Sequence, residues 1–326
     1  MRTVLKPSLC KAVFVSLIAL ATLAAEEPDL LSKTNELLRA GQYKAAEALL
    51  ESAAGQFRDA PGVRCWLLNN LGSVYDAAGD YDRAERYYRQ AIAAGAERLR
   101  NGDPETLTAV ANLLGLYTEY GVYGKAEQFR ARMDTIAPHW RTTKHPIAGR
   151  LYSLSGVVAY GLHQYAEAEE RLTHAMILYN NSMPAASTTD RSLVLNNLSA
   201  VYQATGRFEK ALDAARESFR LAEPEAAVQP ADFSLLLANL ALLEFRAGHP
   251  EAAEQNFRRA VQISAAILPP VNPVLPSVYR MLAAYLKETG HKREAKKYVQ
   301  RGDQVRTAIA RESSLGQTVD YQSFRQ

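Results

Sequence analysis

Cysteine is nearly absent: Cys10 and Cys65 are the only two in 326 residues. A small exported domain framed by disulfides is thereby excluded, and the chain must draw its stability from packing. Tryptophan and histidine are also scarce, at 2 and 6 residues. His139 and His145 flank Trp140 and Arg141 without further ligands at metal-binding spacing, so they read as an ordinary loop. No HExxH, CxxC or G-x-S-x-G occurs. Gly121-Val122-Tyr123-Gly124-Lys125 is too short for a phosphate loop, and Ala126 stands where Ser or Thr would hold magnesium. These absences leave no catalytic, cofactor or metal residue to assign, and the chain reads as a non-enzyme.

Long apolar runs are equally rare. One spans Ala12 to Ala25, preceded by Arg2, Lys6 and Lys11 and followed by Glu26 and Glu27. A charged, then apolar, then small-residue order marks residues 1–25 as a secretory signal peptide, cleaved after Ala24 or Ala25. Cys10 lies before the apolar run, where it cannot serve as a lipid-bearing mature N-terminus. The expected location is the periplasm, the cell envelope or the medium. Elsewhere the longest apolar stretch, Phe233 to Phe245, is broken by Asn239 and Glu244, so no membrane span is expected after cleavage. Without residues 1–25 the chain balances at 35 basic and 35 acidic side chains, and no global charge points to nucleic acid.

What the chain has in quantity is alanine, tyrosine and helical periodicity. In 67–91 the stripe Leu68, Leu71, Val74, Tyr75 ends at Gly79, and a second stripe runs Tyr81, Ala84, Tyr88, Ala91 after Asp80. Helical spacing, a glycine stop and an aspartate N-cap predict two helices folded back on each other. Small residues, Gly72 and Ala84, stand where the two should cross. The pattern recurs. Turn residues Gly41, Gly79, Gly121, His163, Gly206, Gly248 and Gly290 lie 38, 42, 42, 43, 42 and 42 residues apart. Alanine follows five places after each, as Ala46, Ala84, Ala126, Ala168, Ala211, Ala253 and Ala295.

The arrangement resembles the tetratricopeptide repeat, whose W-x2-L-G-x2-Y pattern stands here as Leu68, Leu71, Gly72 and Tyr75, with leucine in the tryptophan place. Family repeats of the common kind are 34 residues long, and the period of about 42, with Asn-Asn-Leu first helices and Asp-Pro or His-Pro connectors, is similar to the kinesin light chain subfamily. The resemblance implies an all-α, right-handed α-solenoid of about seven repeats over residues 26–312. The copies fall near 27–60, 65–98, 107–140, 149–182, 192–225, 234–267 and 276–312, with a loose tail at 313–326. It also implies a protein-interaction scaffold or adaptor that takes a partner protein or peptide along the groove of its first helices. The alternative is a regulatory or targeting subunit of a separately encoded enzyme; an enzyme in its own right ranks last.

Family register nominates groove-facing residues: Trp66, Asn69, Asn70 and Ser73, then Asn112, then Arg150, Ser153 and Tyr160. Further along stand Asn196, Asn197 and Gln203, then Asn239 and Arg246, then Arg280 and Lys287. Asparagine recurs at one place as Asn70, Asn112, Asn197 and Asn239, interrupted by Leu154 and Met281. In the family, amides there hold a peptide backbone; the other reading is that they brace neighbouring helices. The lysine-rich clamp of some relatives is missing, since its places hold Asn69, Ala111, Ser153, Asn196 and Ala238. Three departures stand out: Gly161 lets the turn at His163 shift, Glu244 in a tyrosine place either bends out to water or is a partly buried group with a function, and Leu114 occupies a small-residue place with Gly115 beside it. The last helix, from Lys292, carries a basic outer face that reads as a solvated solenoid cap or an anionic docking patch.

Overall fold

A computed structural model describes residues 30, 32–34, 36–37, 42–56, 60–77, 79–136, 138–225, 230–266 and 274–315. The expected signal peptide, the first turn at Gly41 and most of the expected tail lie outside this set. Every regular element among the described residues is helical. The chain divides into two units, ending and beginning at Asp190 and Arg191.

In the first unit, residues 30, 32–34 and 36–37 are helical and lead to α1 (Tyr43–Gln56). Three helix pairs follow: α2 (Pro61–Ala77) with α3 (Tyr81–Ala94), α5 (Pro104–Glu119) with α6 (Tyr123–Ile136), and α7 (Pro146–Gly161) with α8 (Tyr165–Asn180). The extra length of the repeat is spent between pairs, on the short α4 (Ala96–Arg100) and on a 3-10 turn at Pro138–Arg141. Asp103 caps α5, accepting from the Thr106 N–H at 3.0 Å, and Pro104 sits in its first turn, where no backbone donor is needed. His145 caps α7 through Nδ1, 3.2 Å from the Ile147 N–H, and Trp140 is buried. Both are thus engaged in the loop structure.

The second unit pairs α9 (Thr188–Ala204) with α10 (Phe208–Ala222), α11 (Pro230–Arg246) with α12 (Pro250–Ala266), and α13 (Leu275–Glu288) with α14 (Lys292–Leu315). The last helix runs to Leu315, beyond the boundary near 312 expected from pattern. No helix of the described residues is long and apolar enough to cross a membrane.

The tight turns explain why these helices pair. Gly79, Gly121, Gly206, Gly248 and Gly290 all have φ between 71° and 88°. After each, the next N–H reaches back to a carbonyl in the preceding helix: Asp80 to Tyr75, Val122 to Tyr117, Arg207 to Tyr202, His249 to Glu244, His291 to Leu286. That is the left-handed C-cap which terminates a helix and reverses the chain. At the fourth turn the expected shift to Gly161 does not occur. His163 itself adopts φ 63°, and Gln164 N–H bonds to Ala159 carbonyl at 2.9 Å like its counterparts. Gly161 is small for another reason: a Cβ there would stand 2.4 Å from the Tyr123 ring.

Helix crossings are filled by complementary sizes. Ala46, Ala84, Ala126, Ala168, Ala211 and Ala253 are fully buried, and Ala295 nearly so. A Cβ on Gly72 would meet the Tyr88 ring at 2.5 Å, and one on Gly156 would meet Leu172 at 2.7 Å. Leu114 takes the equivalent place on α5 and is buried, while Arg130 turns to Glu127 and Asp134. Such filling is what gives each pair a single packing geometry.

Candidate functional site

In each unit the first helix of every pair bears the nominated residues, and seven residues along a helix return to nearly the same face, about 20° off. Asn239 and Arg246 therefore share a stripe, as do Arg280 and Lys287, and Asn196 and Gln203. On the first unit the side chains join across three helices. Asn112 Nδ2 donates to Asn69 Oδ1 at 2.9 Å, and Arg150 Nη2 donates to Asn112 Oδ1 at 2.8 Å. Asn70 is buried and donates to the Trp66 carbonyl one turn back at 2.9 Å. Ser73 Oγ lies 3.2 Å from the Asn69 carbonyl and 3.3 Å from Tyr88 Oη. Ser153 and Tyr160 are partly exposed, the latter with its ring 5.7 Å from that of Tyr165.

The second unit repeats the connection between α9 and α11. Asn239 Nδ2 donates to Asn196 Oδ1 at 3.0 Å. In both units the bond joins an asparagine to the residue one register place earlier on the preceding first helix. An amide occupied in this way holds adjacent repeats together. The bond leaves one difference. Asn239 is 7 % exposed and its Oδ1 has no hydrogen-bond partner, a buried acceptor with capacity to spare. On the first helices α9, α11 and α13, Asn197 and Gln203 are partly exposed, Leu193 and Leu242 partly buried, and Arg246, Arg280 and Lys287 exposed. Arg280 Nη2 touches Ser277 Oγ at 3.4 Å. The face thus offers amides, aliphatic surface and positive charge.

The side of α1, α3 and α5 away from these stripes carries a second polar system. Tyr117 is buried, donates to Glu85 Oε1 at 2.9 Å and accepts from Arg89 Nη2 at 2.7 Å. Lys125 Nζ reaches Glu85 Oε2 at 2.6 Å. Burial alone would raise the Glu85 carboxyl, but hydrogen bonds from Lys125, Arg89 and Tyr117 outweigh it and bring it down to about 2. Tyr75, in the same register place as Tyr117, donates to Glu47 and accepts from Arg83 Nη1 at 3.2 Å. These tyrosines fasten each first helix to the second helix before it.

Glu244 holds the tyrosine place in α11, and of the two readings there the outward carboxylate fails. It is 6 % exposed and paired, with Arg216 Nη2 2.9 Å from Oε1 and His249 Nδ1 2.8 Å from Oε2. A buried carboxylate must be compensated, and the compensation is in the sequence. Six places after the turn stand Glu47, Glu85, Glu127, Glu169 and Glu254, but Leu212 in the fifth copy and Lys296 in the last, which no further helix follows among the described residues. The acid absent from α10 reappears on α11 as Glu244, and Arg216 keeps the register of Arg89. The pair is a structural fastener with its charges exchanged between helices.

Among the described residues no group of three or more His, Cys, Asp or Glu could hold a metal ion. Cys65 is buried against Thr106, its Sγ 3.9 Å from Oγ1, and burial pushes its thiol up to about 11, away from a reactive thiolate.

Comparison with known proteins agrees with this architecture. Sequence profiles described as tetratricopeptide repeat match residues 37–97 and 147–223, and a further one residues 235–273. No curated protein matches the sequence. Among solved structures, apo RapI is 15 % identical with a TM-score of 0.63, covering 88 % of this chain and 99 % of its own. A Rap protein complexed with competence and sporulation factor is 16 % identical with a TM-score of 0.57, covering 86 % and 74 %. BtubC (BKLC) from P. vanneervenii is 21 % identical with a TM-score of 0.55, covering 72 % and 92 %. At these identities the likeness is one of fold. Repeated turns, invariant crossing alanines and matching profiles together place the chain in the tetratricopeptide-repeat family.

Proposed function

We propose that the protein is a non-catalytic scaffold whose second unit holds an extended segment of a partner protein against the stripe of α9, α11 and α13. The observation that carries this reading is the stripe itself: Asn197 and Gln203 on α9 are partly exposed, and Arg246, Arg280 and Lys287 on α11 and α13 are exposed, with Asn239 bonded to Asn196 as the brace beneath them. The Asn197 amide can both donate to and accept from the backbone of an extended peptide whatever its side chains, while Leu193 contributes apolar contact. A Rap relative of the same fold was solved with competence and sporulation factor bound, which accords with this use. We further infer export, on the order of charged, apolar and small residues before Glu26. N-terminal sequencing from the native host should then find Ala25 or Glu26 first, and an intact Met1 would refute it.

The direct test is selection of random peptides on phage against the full chain, followed by binding to an Asn197→Trp variant. Asn197 is partly exposed on α9, so an indole there fills the stripe without entering the core. Selected peptides should lose the variant. Undiminished binding to it would place the partner surface elsewhere.

A further inference from the structure

The opening of α14 is built against its own helix. Lys292, Arg293, Lys296 and Lys297 are all exposed, at the end where the helix macrodipole is positive and acids are favoured. Of the other second helices, α3, α8, α10 and α12 open with an acid, Asp82, Glu167, Glu209 and Glu251, while α1 and α6 have none in the first turn. In α14 the acid of the first turn, Glu294, turns to Arg258 at 3.6 Å. Lys292 and Lys296, Arg293 and Lys297, and Lys297 and Arg301 stand four apart, where like charges repel. Among the described residues none of Lys292, Arg293, Lys296 and Lys297 forms an ion pair. Arg306 is neutralised by Asp303. Lys287 extends the positive field at the same end, with Glu288 the acid beside it. Ala295, Tyr298 and Gly302 face inward onto α13, whereas Val299 is 50 % exposed among the cations.

Local stability does not account for this arrangement, since four cations against the one acid Glu294 work against the helix that bears them. We propose that the outer face of α14 lies on a surface of anionic lipid headgroups. The face is the outside of one helix and offers no cleft to enclose a partner side chain. It fits a fluid sheet of negative charge, with Val299 entering the headgroup boundary between the lysines. The proposal stands apart from the peptide face and survives its failure.

A fluorescent nitrobenzoxadiazole label on Gln300→Cys, in a Cys10→Ser background, reports this face alone, because Cys65 is buried. Vesicles of phosphatidylcholine should leave its emission unchanged. Vesicles with about one third phosphatidylglycerol should shift it to the blue, and about 0.5 M salt should reverse the shift. Lys296→Glu with Lys297→Glu should weaken vesicle binding by roughly tenfold or more while raising the thermal midpoint. An unresponsive label, equal affinity of the variant, or a fall in its midpoint would overturn the proposal. So would a shift with soluble polyglutamate and none with vesicles, which would assign an acidic protein instead.

Discussion

His163 is the residue at which the fold departs from its own rule. Five turns place glycine in the left-handed region, and this one places a β-carbon there, with Nδ1 3.0 Å from Tyr165 Oη as local recompense. His163→Gly should therefore raise stability by about 0.5–1 kcal/mol, read from urea unfolding, and His163→Val should lower it. A loss on His163→Gly would mean that the contact with Tyr165 outweighs the backbone cost. Glu85 makes a prediction in pH. Its carboxyl sits near 2 in the folded protein, below an unfolded value of about 4.3. The stabilisation is therefore present above the unfolded value and lost as pH falls from about 4.5 toward 2. The urea midpoint of Glu85→Gln should decline less steeply across that window than that of the parent.

At the scale of elements, fasteners between a second helix and the next first helix decide how repeats stack. Tyr117 with Glu85 and Arg89, and Glu244 with Arg216 and His249, are two chemical solutions for one place. The seventh copy uses a third, the buried Leu286. Glu244→Leu should accordingly be tolerated within about 1 kcal/mol, since an apolar residue can replace a buried pair. Arg216→Ala should cost more, because it leaves the carboxylate buried with His249 alone; calorimetry on the two variants decides it. Helix pairs and turns were legible because glycine and crossing alanine report local geometry. Glu244 was not, since its partners lie 28 residues before and 5 after, and only the loss of glutamate at Leu212 signals the exchange. Register brought Asn69, Asn112 and Arg150 onto neighbouring helices, but it did not foretell their bonding or that Asn70 is buried. Asn112 reaches Asn69 rather than Asn70, an offset set by how successive helices are staggered.

For the whole molecule, the balance of 35 basic and 35 acidic side chains outside residues 1–25 conceals an uneven placement. Lys287, Lys292, Arg293, Lys296 and Lys297 gather at one end of the last helix pair, while the first unit's stripes carry Asp76 and Glu119 near their turns. Binding of a partner segment by the second unit remains the central claim, and its signature is a separation of affinity from stability. Titration calorimetry of a phage-selected peptide against the parent and Asn197→Ala, with thermal unfolding of both, tests it most directly. Removing the partly exposed amide should weaken the peptide about five- to a hundred-fold, equivalent to roughly 1–3 kcal/mol, with little change in the thermal midpoint. Unchanged affinity beside a lowered midpoint would contradict the account and leave Asn197 as a structural residue of α9.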